Sequence, residues 1–300
     1  MTNLFQRLFC SGYYFTVALR RRTEENVLET GRFRAECVIP ANRKNWCADP
    51  MLAEEDGRTY LFYEAVSQDL GRIDVREVFS DLTMSEPTTV LSGPRHFSYP
   101  FVFRKDGCWY MIPESSAEER VRLYRAAAFP YEWEAVTDLL TGSYVDTTVF
   151  PWEGRWILLT FETDHRTEAV TPKAFEWIDD GARSVLKPLK WDGWDGLSVR
   201  GAGPVFLDHG QPYRPAQKNR EQIYGDSLVF HRFSLEADRC CEEPAGALRI
   251  EHVDGAPRLA DGLHTYCASA SFEAIDLRCR DFILWKIPGK LLRRVFRKRR

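Results

Sequence analysis

The chain has 300 residues, of which 44% are hydrophobic and 28% charged, so it can bury the core of one large domain or two smaller ones. No apolar run approaches the roughly 18 residues that a membrane-spanning helix needs, and the apolar stretch 12–19 is followed rather than preceded by basic residues, so we predict neither a membrane span nor an export signal. The net charge of −3 is uneven, because residues 286–300 hold eight Lys or Arg and no acid, whereas residues 1–285 hold 33 basic and 44 acidic side chains.

The eight cysteines include no C-x-x-C pair and no Cys/His cluster with zinc-like spacing. This pattern is typical of reduced thiols in a cytosolic protein, so we expect a cytoplasmic location. The sequence also lacks a Walker motif, a dinucleotide fingerprint and a D-x-D signature, and we predict neither a cofactor nor a bound metal.

Four stretches of the chain repeat one pattern, in which an apolar run leads to a turn glycine and a second apolar run ends on a polar residue. They follow one another at intervals of about 50 residues. In chain order they are DPMLAEEDGRTYLFYE (49–64), YPFVFRKDGCWYMIPE (99–114), DTTVFPWEGRWILLTFE (146–162) and AGPVFLDHGQPYRPAQ (202–217).

Each repeat predicts a β-hairpin, and about four strands in a period of 40–50 residues are typical of a propeller blade. Residues 247–277 form a degenerate fifth unit, and the strand YYFTVALRR at 13–21 is expected to complete that last blade. We therefore predict an all-β, five-bladed β-propeller over residues 1–285 as one domain, followed by a basic tail at 286–300.

A propeller brings the first residue of each repeat, here called the lead residue, to one central axis. Asp49, Tyr99, Asp146, the 200–203 loop and His264 are therefore expected to meet there. Two carboxylates at such an axis suit nucleophile or base chemistry and stabilisation of an oxocarbenium-like transition state, although an Asp at a strand start also caps turns or pairs with Arg. The final residues of the second strands, Glu64 and Glu114, are expected nearer the rim.

The tail places Leu291, Leu292, Val295 and Phe296 on one helical face with arginines around them. This pattern predicts either a short amphipathic helix on an anionic membrane surface or a solvated tail. Because the body is acidic, we do not expect nucleic acid as a partner.

Several phrases occur together and in order: ADP with YLFYE, HFSYPFVF with YMIPES, LYRAAAFPYEW, VDTTVF, RGAGPVF with YRPAQ, and GLHTY. They resemble the N-terminal propeller domain of plant glucosamine inositolphosphorylceramide transferases and its stand-alone bacterial relatives, over roughly residues 13–280. In the plant proteins a separate C-terminal glycosyltransferase domain performs the sugar transfer, so the resemblance implies a separate transferase partner for this chain.

More remotely, the layout is similar to the propeller superfamily of arabinanases and levansucrases. That resemblance implies an acidic residue at the start of blade one, matched by Asp49, and a second in blade three, matched by Asp146. It also implies a Glu acid at the start of blade four, where this chain has RGAG with Arg200 nearest. This departure argues against ordinary hydrolysis. Glu114, with a pKa raised by burial, is the first substitute for the missing acid.

The remaining candidates are side chains suited to holding a sugar or its charged groups. An Arg fork suits phosphate or carboxylate, Gln suits hydroxyls and Trp suits stacking on a sugar ring, while structural pairing or packing is the alternative for each. The substrate-binding candidates are Trp46, His96, Tyr99, Arg200, Arg214, Gln217, Tyr224 and His264.

Three functional hypotheses remain open from the sequence. The first is a glycosyltransferase-type enzyme that acts on a glycolipid or surface-polysaccharide intermediate at the inner face of the cell membrane, with a glycoside hydrolase as its variant. Its catalytic residues would be Asp49, Asp146 and Glu114. The second is a non-catalytic glycan-binding or scaffolding propeller, and the third is a protein-interaction propeller.

Overall fold

The computed structural model describes residues 10–23, 26–164, 167, 169–179, 184–192, 200–220 and 223–282. The predicted basic tail at 286–300 lies outside these residues. The described part is almost entirely β-structure, with one short helix, α1 (Val27–Thr30). None of its helices is long and apolar enough to cross a membrane.

The strands are short and follow one another along the whole described chain. They are β1 (Cys10–Arg21), β2 (Phe33–Arg34), β3 (Cys37–Val38), β4 (Asn45–Glu55), β5 (Arg58–Ser67), β6 (Leu70–Val78), β7 (Thr88–Leu91), β8 (Ser98–Lys105), β9 (Cys108–Glu114), β10 (Arg120–Ala128), β11 (Glu132–Thr141), β12 (Tyr144–Trp152), β13 (Arg155–Thr163), β14 (Val170–Asp179), β15 (Ser184–Asp192), β16 (Phe206–Asp208), β17 (Gln211–Arg220), β18 (Ile223–Glu236), β19 (Arg239–Arg249), β20 (Val253–Asp254), β21 (Ala260–Gly262), β22 (Tyr266–Ala268) and β23 (Phe272–Phe282).

The strands pair mainly with their neighbours in sequence. Two four-stranded sheets have the orders β4–β5–β6–β7 and β8–β9–β10–β11. An eight-stranded sheet has the order β12–β13–β14–β15–β19–β18–β17–β16, because the outer strands β15 and β19 pair in parallel. The last sheet, β21–β23–β1–β3, also holds β22, and β2 pairs with β20.

The four predicted hairpins are confirmed, and they share one turn. The two central turn residues of each have positive φ, 48–50° at the residue before the glycine and 74–78° at the glycine. This is the type I′ geometry, whose twist matches that of the flanking strands. The pairs are Asp56–Gly57, Asp106–Gly107, Glu153–Gly154 and His209–Gly210.

The lead residues of the first three repeats lie at β-bulges. Asp49, Tyr99 and Asp146 have φ of 51°, 44° and 52°. The strand register shifts at each of them, between Ala48 and Met51, Ser98 and Phe101, and Val145 and Thr148. A bulge re-aims the side chain at one position of a strand, and left-handed backbone at a non-glycine residue is uncommon outside functional or constrained sites.

The two ends of the described chain share one sheet. β1 pairs with β23 from Tyr13 opposite Arg280 to Arg21 opposite Phe272, and its other edge pairs with β3. Val17, Ala18 and Leu19 of β1 are completely buried. Three of the hydrophobic clusters draw side chains from adjacent sheets, and a fourth lies between the two halves of the eight-stranded sheet. The apolar core therefore lies between layers of strands, and the pocket described below is lined largely by polar side chains.

Candidate active site

A pocket of about 260 Å³ lies where the sheets converge. Eight of the eleven predicted site residues line it, although they are up to 218 positions apart in the sequence. Its lining residues are Tyr13, Phe15, Trp46, Asp49, Glu64, His96, Ser98, Glu114, Asp146, Arg200, Tyr224 and His264.

Glu64 and Glu114 lie on this pocket and not at the rim where we expected them. The strand register gives the reason, since Glu64 is opposite Ala48 and Glu114 is opposite Ser98. In an antiparallel hairpin the end of the second strand lies beside the start of the first. The final residue of the hairpin therefore lies beside the start of its first strand, at the end of the hairpin that borders the pocket.

Asp49 is a buried carboxylate held by hydrogen bonds from two other parts of the chain. Its Oδ1 accepts from Thr265 Oγ1 at 2.9 Å and its Oδ2 from the Tyr99 backbone N–H at 3.1 Å. Burial raises the pKa of Asp49 to about 7, although His264 opposes this effect and Glu64 adds to it. Asp49 can therefore gain or lose a proton near neutral pH.

Asp146 is held by a bidentate ion pair with Arg200. Arg200 Nε and Nη2 donate to its two carboxylate oxygens at 2.7 and 2.8 Å. Burial opposes the charge on Arg200, but Asp146 keeps the pKa of Arg200 well above its ordinary value. A bidentate Arg–carboxylate pair is among the strongest side-chain hydrogen-bonding arrangements in proteins.

Glu114 lies beside this ion pair. Its Oε2 accepts a hydrogen bond from the Asp146 backbone N–H at 3.3 Å and is 3.8 Å from Arg200 Nη2. Burial and the negative charge of Asp146 raise the pKa of Glu114 to about 8, although Arg200 opposes the shift. At neutral pH Glu114 is therefore mainly protonated and can donate a proton.

His264 forms a buried network with Asp276, which the sequence reasoning missed. Its Nδ1 bonds Asp276 Oδ2, and its Nε2 is 3.8 Å from Asp49 Oδ1. Burial lowers the pKa of His264, but Asp276 and Asp49 outweigh it and raise the value to about 9. The imidazolium is therefore a fixed positive charge beside Asp49. The sequence signal for Asp276 is an Asp inside the largely apolar strand EAIDL, because a carboxylate in such a strand indicates a buried polar partner.

Glu64 and His96 form a second pair on the wall of the pocket. His96 Nε2 is 2.6 Å from Glu64 Oε1, and the Gly71 backbone N–H donates to His96 Nδ1 at 3.0 Å. The hydrogen bond with Glu64 raises the pKa of His96. The Gly71 N–H favours the neutral ring, because a hydrogen bond to Nδ1 requires that Nδ1 carries no proton. The Nε2 hydrogen therefore points to Glu64.

Aromatic rings form one side of the pocket. Phe15 stacks on His264 with ring centroids 4.3 Å apart, and Trp46, Tyr13 and Tyr224 surround Phe15 at 5.8–6.3 Å. Tyr13 is 54% exposed at the mouth of the pocket. Sequence reasoning identified Trp46 and Tyr224 but missed Tyr13 and Phe15, because these two come from the strand that we expected only to complete the last sheet.

Three predicted residues lie behind the pocket and do not line it. The Tyr99 hydroxyl accepts from the Gly203 N–H at 2.9 Å, and Gln217 Nε2 donates to Gly201 O at 2.8 Å. Arg214, 2% exposed, pairs in a fork with Glu242 at 2.7 and 2.8 Å. These contacts position the 200–203 loop and the neighbouring strands, because buried polar groups need partners.

One cluster among the described residues has ligand atoms close enough for a metal ion: those of Asp49, His264 and Asp276 lie within 4.8 Å of one another. Asp276 already accepts hydrogen bonds from the backbone N–H groups of Asp49, His264 and Thr265. An ion would have to displace these donors, so the cluster fits a charge-balanced hydrogen-bond network better than a metal centre.

The fold and the pocket define the class of protein, a β-propeller that gathers carboxylates at its centre. Residues 34–256 match the family described as glucosamine inositolphosphorylceramide transferase 1, N-terminal, and the chain belongs to this family. The resemblance found in the sequence is thereby confirmed.

Plant relatives agree with this assignment. The chain is 29% identical to glucosamine inositolphosphorylceramide transferase 1 of Oryza sativa subsp. japonica and 28% identical to that of Arabidopsis thaliana. The matches cover 75% and 70% of this chain but only 34% and 30% of those proteins, so the chain spans about a third of their length.

Among solved structures, the chain resembles glycosidases in fold. A GH32 β-fructofuranosidase of Bombyx mori has a TM-score of 0.54 at 16% identity, covering 70% of this chain and 53% of that one. The RS223 β-xylosidase has a TM-score of 0.53 at 11% identity, covering 79% and 92%. At these identities the likeness concerns the propeller fold alone.

Proposed function

We propose that this chain is a carbohydrate-active, five-bladed propeller that performs acid–base chemistry at the anomeric carbon of a sugar, as a glycosyltransferase-type enzyme. The observation that carries the proposal is the convergence of Asp49, Glu114 and Asp146, from three different hairpins, on one pocket. Carboxylates paired in this way divide the work of acid and base in glycosyl chemistry.

In this proposal Glu114 is the general acid and Asp49 the base or nucleophile. The Arg200 fork fixes the Asp146 carboxylate in the pocket, where it can stabilise positive charge that develops on the sugar. Asp146 also raises the pKa of Glu114, so that Glu114 keeps its proton at neutral pH. Glu114 thus takes the place of the acid that the remote superfamily carries at the start of blade four.

The names of the relatives support a role in glycolipid or surface-polysaccharide assembly, because the plant proteins are named as transferases of glucosamine inositolphosphorylceramide. The substrate in this proposal is a sugar or glycolipid, and a separate glycosyltransferase is a candidate partner. A cytoplasmic location, with residues 286–300 on an anionic membrane surface, belongs to the same proposal.

The test is turnover of nucleotide-sugar and lipid-linked sugar donors by the purified chain, measured by mass spectrometry of the products. Asp49→Asn and Glu114→Gln should each lower turnover by at least about 100-fold, the lower end of what general acid–base catalysis contributes. Glu162→Gln is the matched control, because Glu162 ends the third repeat in the same way but is exposed and pairs with Lys173. Unchanged turnover in Asp49→Asn and Glu114→Gln would refute the catalytic roles.

A non-catalytic glycan-binding propeller is the second candidate, and the Arg200–Asp146 ion pair favours it. A carboxylate committed to an Arg fork, with that Arg near the position of the missing acid, also suits a site that binds without reacting. This candidate predicts sugar binding that survives Asp49→Asn within a few-fold, and no product from the wild-type chain with any donor.

A further inference from the structure

Glu64 is a nearly buried carboxylate with one unused oxygen on the wall of the central pocket. Its side chain is 6% exposed, and Oε1 takes the hydrogen bond from His96. Oε2 accepts no hydrogen bond from the residues that the structure describes. Oε2 is not one of the fully buried side-chain atoms that lack a partner, so it is open to the pocket, where it can accept a hydrogen bond from a bound molecule.

His96 fixes the direction of that oxygen. Its ring is held on both sides, because the Gly71 N–H occupies Nδ1 and Glu64 occupies Nε2. Its side chain is 43% exposed towards the pocket. With both ring nitrogens engaged, His96 cannot donate to a ligand itself and acts on it through Glu64.

Gly71 provides the space for this arrangement. A Cβ at Gly71 would lie 2.7 Å from His96 Cε1 and Nε2 and 2.6 Å from Phe97 O, closer than real Cβ contacts. The φ of Gly71 is not in the left-handed region, so the requirement for glycine here is steric and comes from the close approach of both the Phe97 carbonyl and the His96 ring.

We infer that Glu64 is a specificity-determining residue that accepts a hydrogen bond from a hydroxyl of the bound sugar, and that His96 and Gly71 are its positioning residues. The ligand is a sugar whose hydroxyl reaches the wall formed by β5 while its anomeric carbon lies among Asp49, Glu114 and Asp146. This inference rests on the proposed carbohydrate function and adds the group that would select among sugars.

A site built to hydrogen-bond a hydroxyl rejects the analogue that lacks it, because the buried acceptor is then left without a partner. The expected discrimination is about 5- to 150-fold in affinity. Only one hydroxyl of the sugar should show this discrimination, because only one oxygen of Glu64 is available to accept a hydrogen bond.

The experiment measures binding of methyl glycosides of common hexoses and pentoses to the full chain by calorimetry, and then of the mono-deoxy analogues of the best binder. In the wild type one analogue should bind about 5- to 150-fold more weakly than its parent. In Glu64→Gln that difference should fall several-fold, because a carboxyl acceptor is replaced by an amide, while the penalties for the other deoxy analogues stay the same.

Variants of the positioning residues separate this role from general damage to the fold. Gly71→Ala and His96→Leu should reduce the same hydroxyl penalty, whereas His96→Gln, which keeps an N–H donor for Glu64, should retain most of it. Gly93→Ala is the control, because Gly93 lies in the loop between β7 and β8 that carries His96, and its Cβ would meet only the Phe97 ring, at 3.3 Å.

The outcomes distinguish the role of Glu64 from the proposed carbohydrate function on which it rests. A wild type that binds sugars, with every deoxy penalty unchanged in Glu64→Gln and Gly71→Ala, overturns the role of Glu64 and leaves the carbohydrate function standing. A wild type that binds no sugar of the panel overturns both.

Discussion

At the scale of single residues, the pocket depends on carboxyl groups that have different surroundings within one small volume. Burial and Asp146 raise the pKa of Glu114 to about 8, while Asp146 accepts two hydrogen bonds from Arg200. Environments that separate two carboxyl groups in this way define an acid and a base. Arg200 thus controls Glu114 as well as Asp146.

These assignments predict the pH dependence of turnover. The pKa of Glu114 is raised to about 8, so its acid form is lost as the pH rises through 8. The pKa of Asp49 is raised to about 7, so its base form is lost as the pH falls through 7. A plot of kcat/KM against pH should be bell-shaped with its optimum between these values. Because Asp49 and Glu114 lie in one pocket and interact, the apparent pKa of each limb describes the pair and not a single residue.

Glu114→Gln, assayed with an activated leaving group that needs no acid, should lose the alkaline limb and keep the acid limb. An optimum near pH 4–5, where ordinary carboxyl groups titrate, would contradict the assigned roles. Glu162→Gln should keep the wild-type profile.

At the scale of strands, the hairpins could be predicted from the sequence, whereas the position of the site could be predicted only in part. The turn pairs Asp56–Gly57 and Asp106–Gly107 are local signals, because a type I′ turn needs residues that tolerate positive φ. The placement of Glu64 depends on register with β4, and the contact of Asp276 with Asp49 joins residues 227 positions apart. No local pattern encodes such pairings.

The same limit applies to Arg214, which the sequence suggested as a ligand contact. The structure places its guanidinium 5.6 Å from the Phe161 ring centroid and 5.2 Å from that of Trp191, paired with Glu242. It therefore links β13, β15, β17 and β19, the two halves of the eight-stranded sheet. A single sequence does not show whether a buried Arg faces a ligand or a carboxylate.

Arg214→Met should lower the free energy of unfolding by about 3–5 kcal/mol, since it leaves Glu242 buried without its partner. Urea unfolding followed by tryptophan fluorescence measures the loss. Arg239→Met is the matched control, because Arg239 and Asp192 also join β15 to β19 but are more than half exposed, and it should cost less than about 1 kcal/mol. Equal losses of unfolding free energy in the two variants would show that burial of the ion pair does not determine how much it contributes to stability.

At the scale of the whole molecule, the sheet that holds both ends of the described chain is built around β1. β1 lies between β23 and β3, so the first of the described strands is an interior strand. The repeat pattern predicted that a strand was needed here, but not that its side chains Tyr13 and Phe15 would line the pocket.

This position predicts the order of amide exchange. The amides of Ala18 and Leu19 in β1 should exchange only with global unfolding, because this part of the strand pairs with β23 on one side and β3 on the other and is completely buried. Those of β7 and β11, which pair with one strand each among the described residues, should exchange at least about tenfold faster. Hydrogen–deuterium exchange with mass spectrometry measures both, and early exchange in β1 would contradict the arrangement.

The parallel pairing of β15 with β19 also affects how copies of the protein meet in a crowded solution. An unpaired outer strand is a template on which a second chain can add, and this is a common start of aggregation. In the eight-stranded sheet β15 and β19 pair with each other, at Lys190–Arg239, Trp191–Cys240 and Asp192–Cys241, so neither leaves this edge free. Among the described strands, such addition is left to edges like β11, where Glu132 and Glu134 would repel the same residues of an approaching copy.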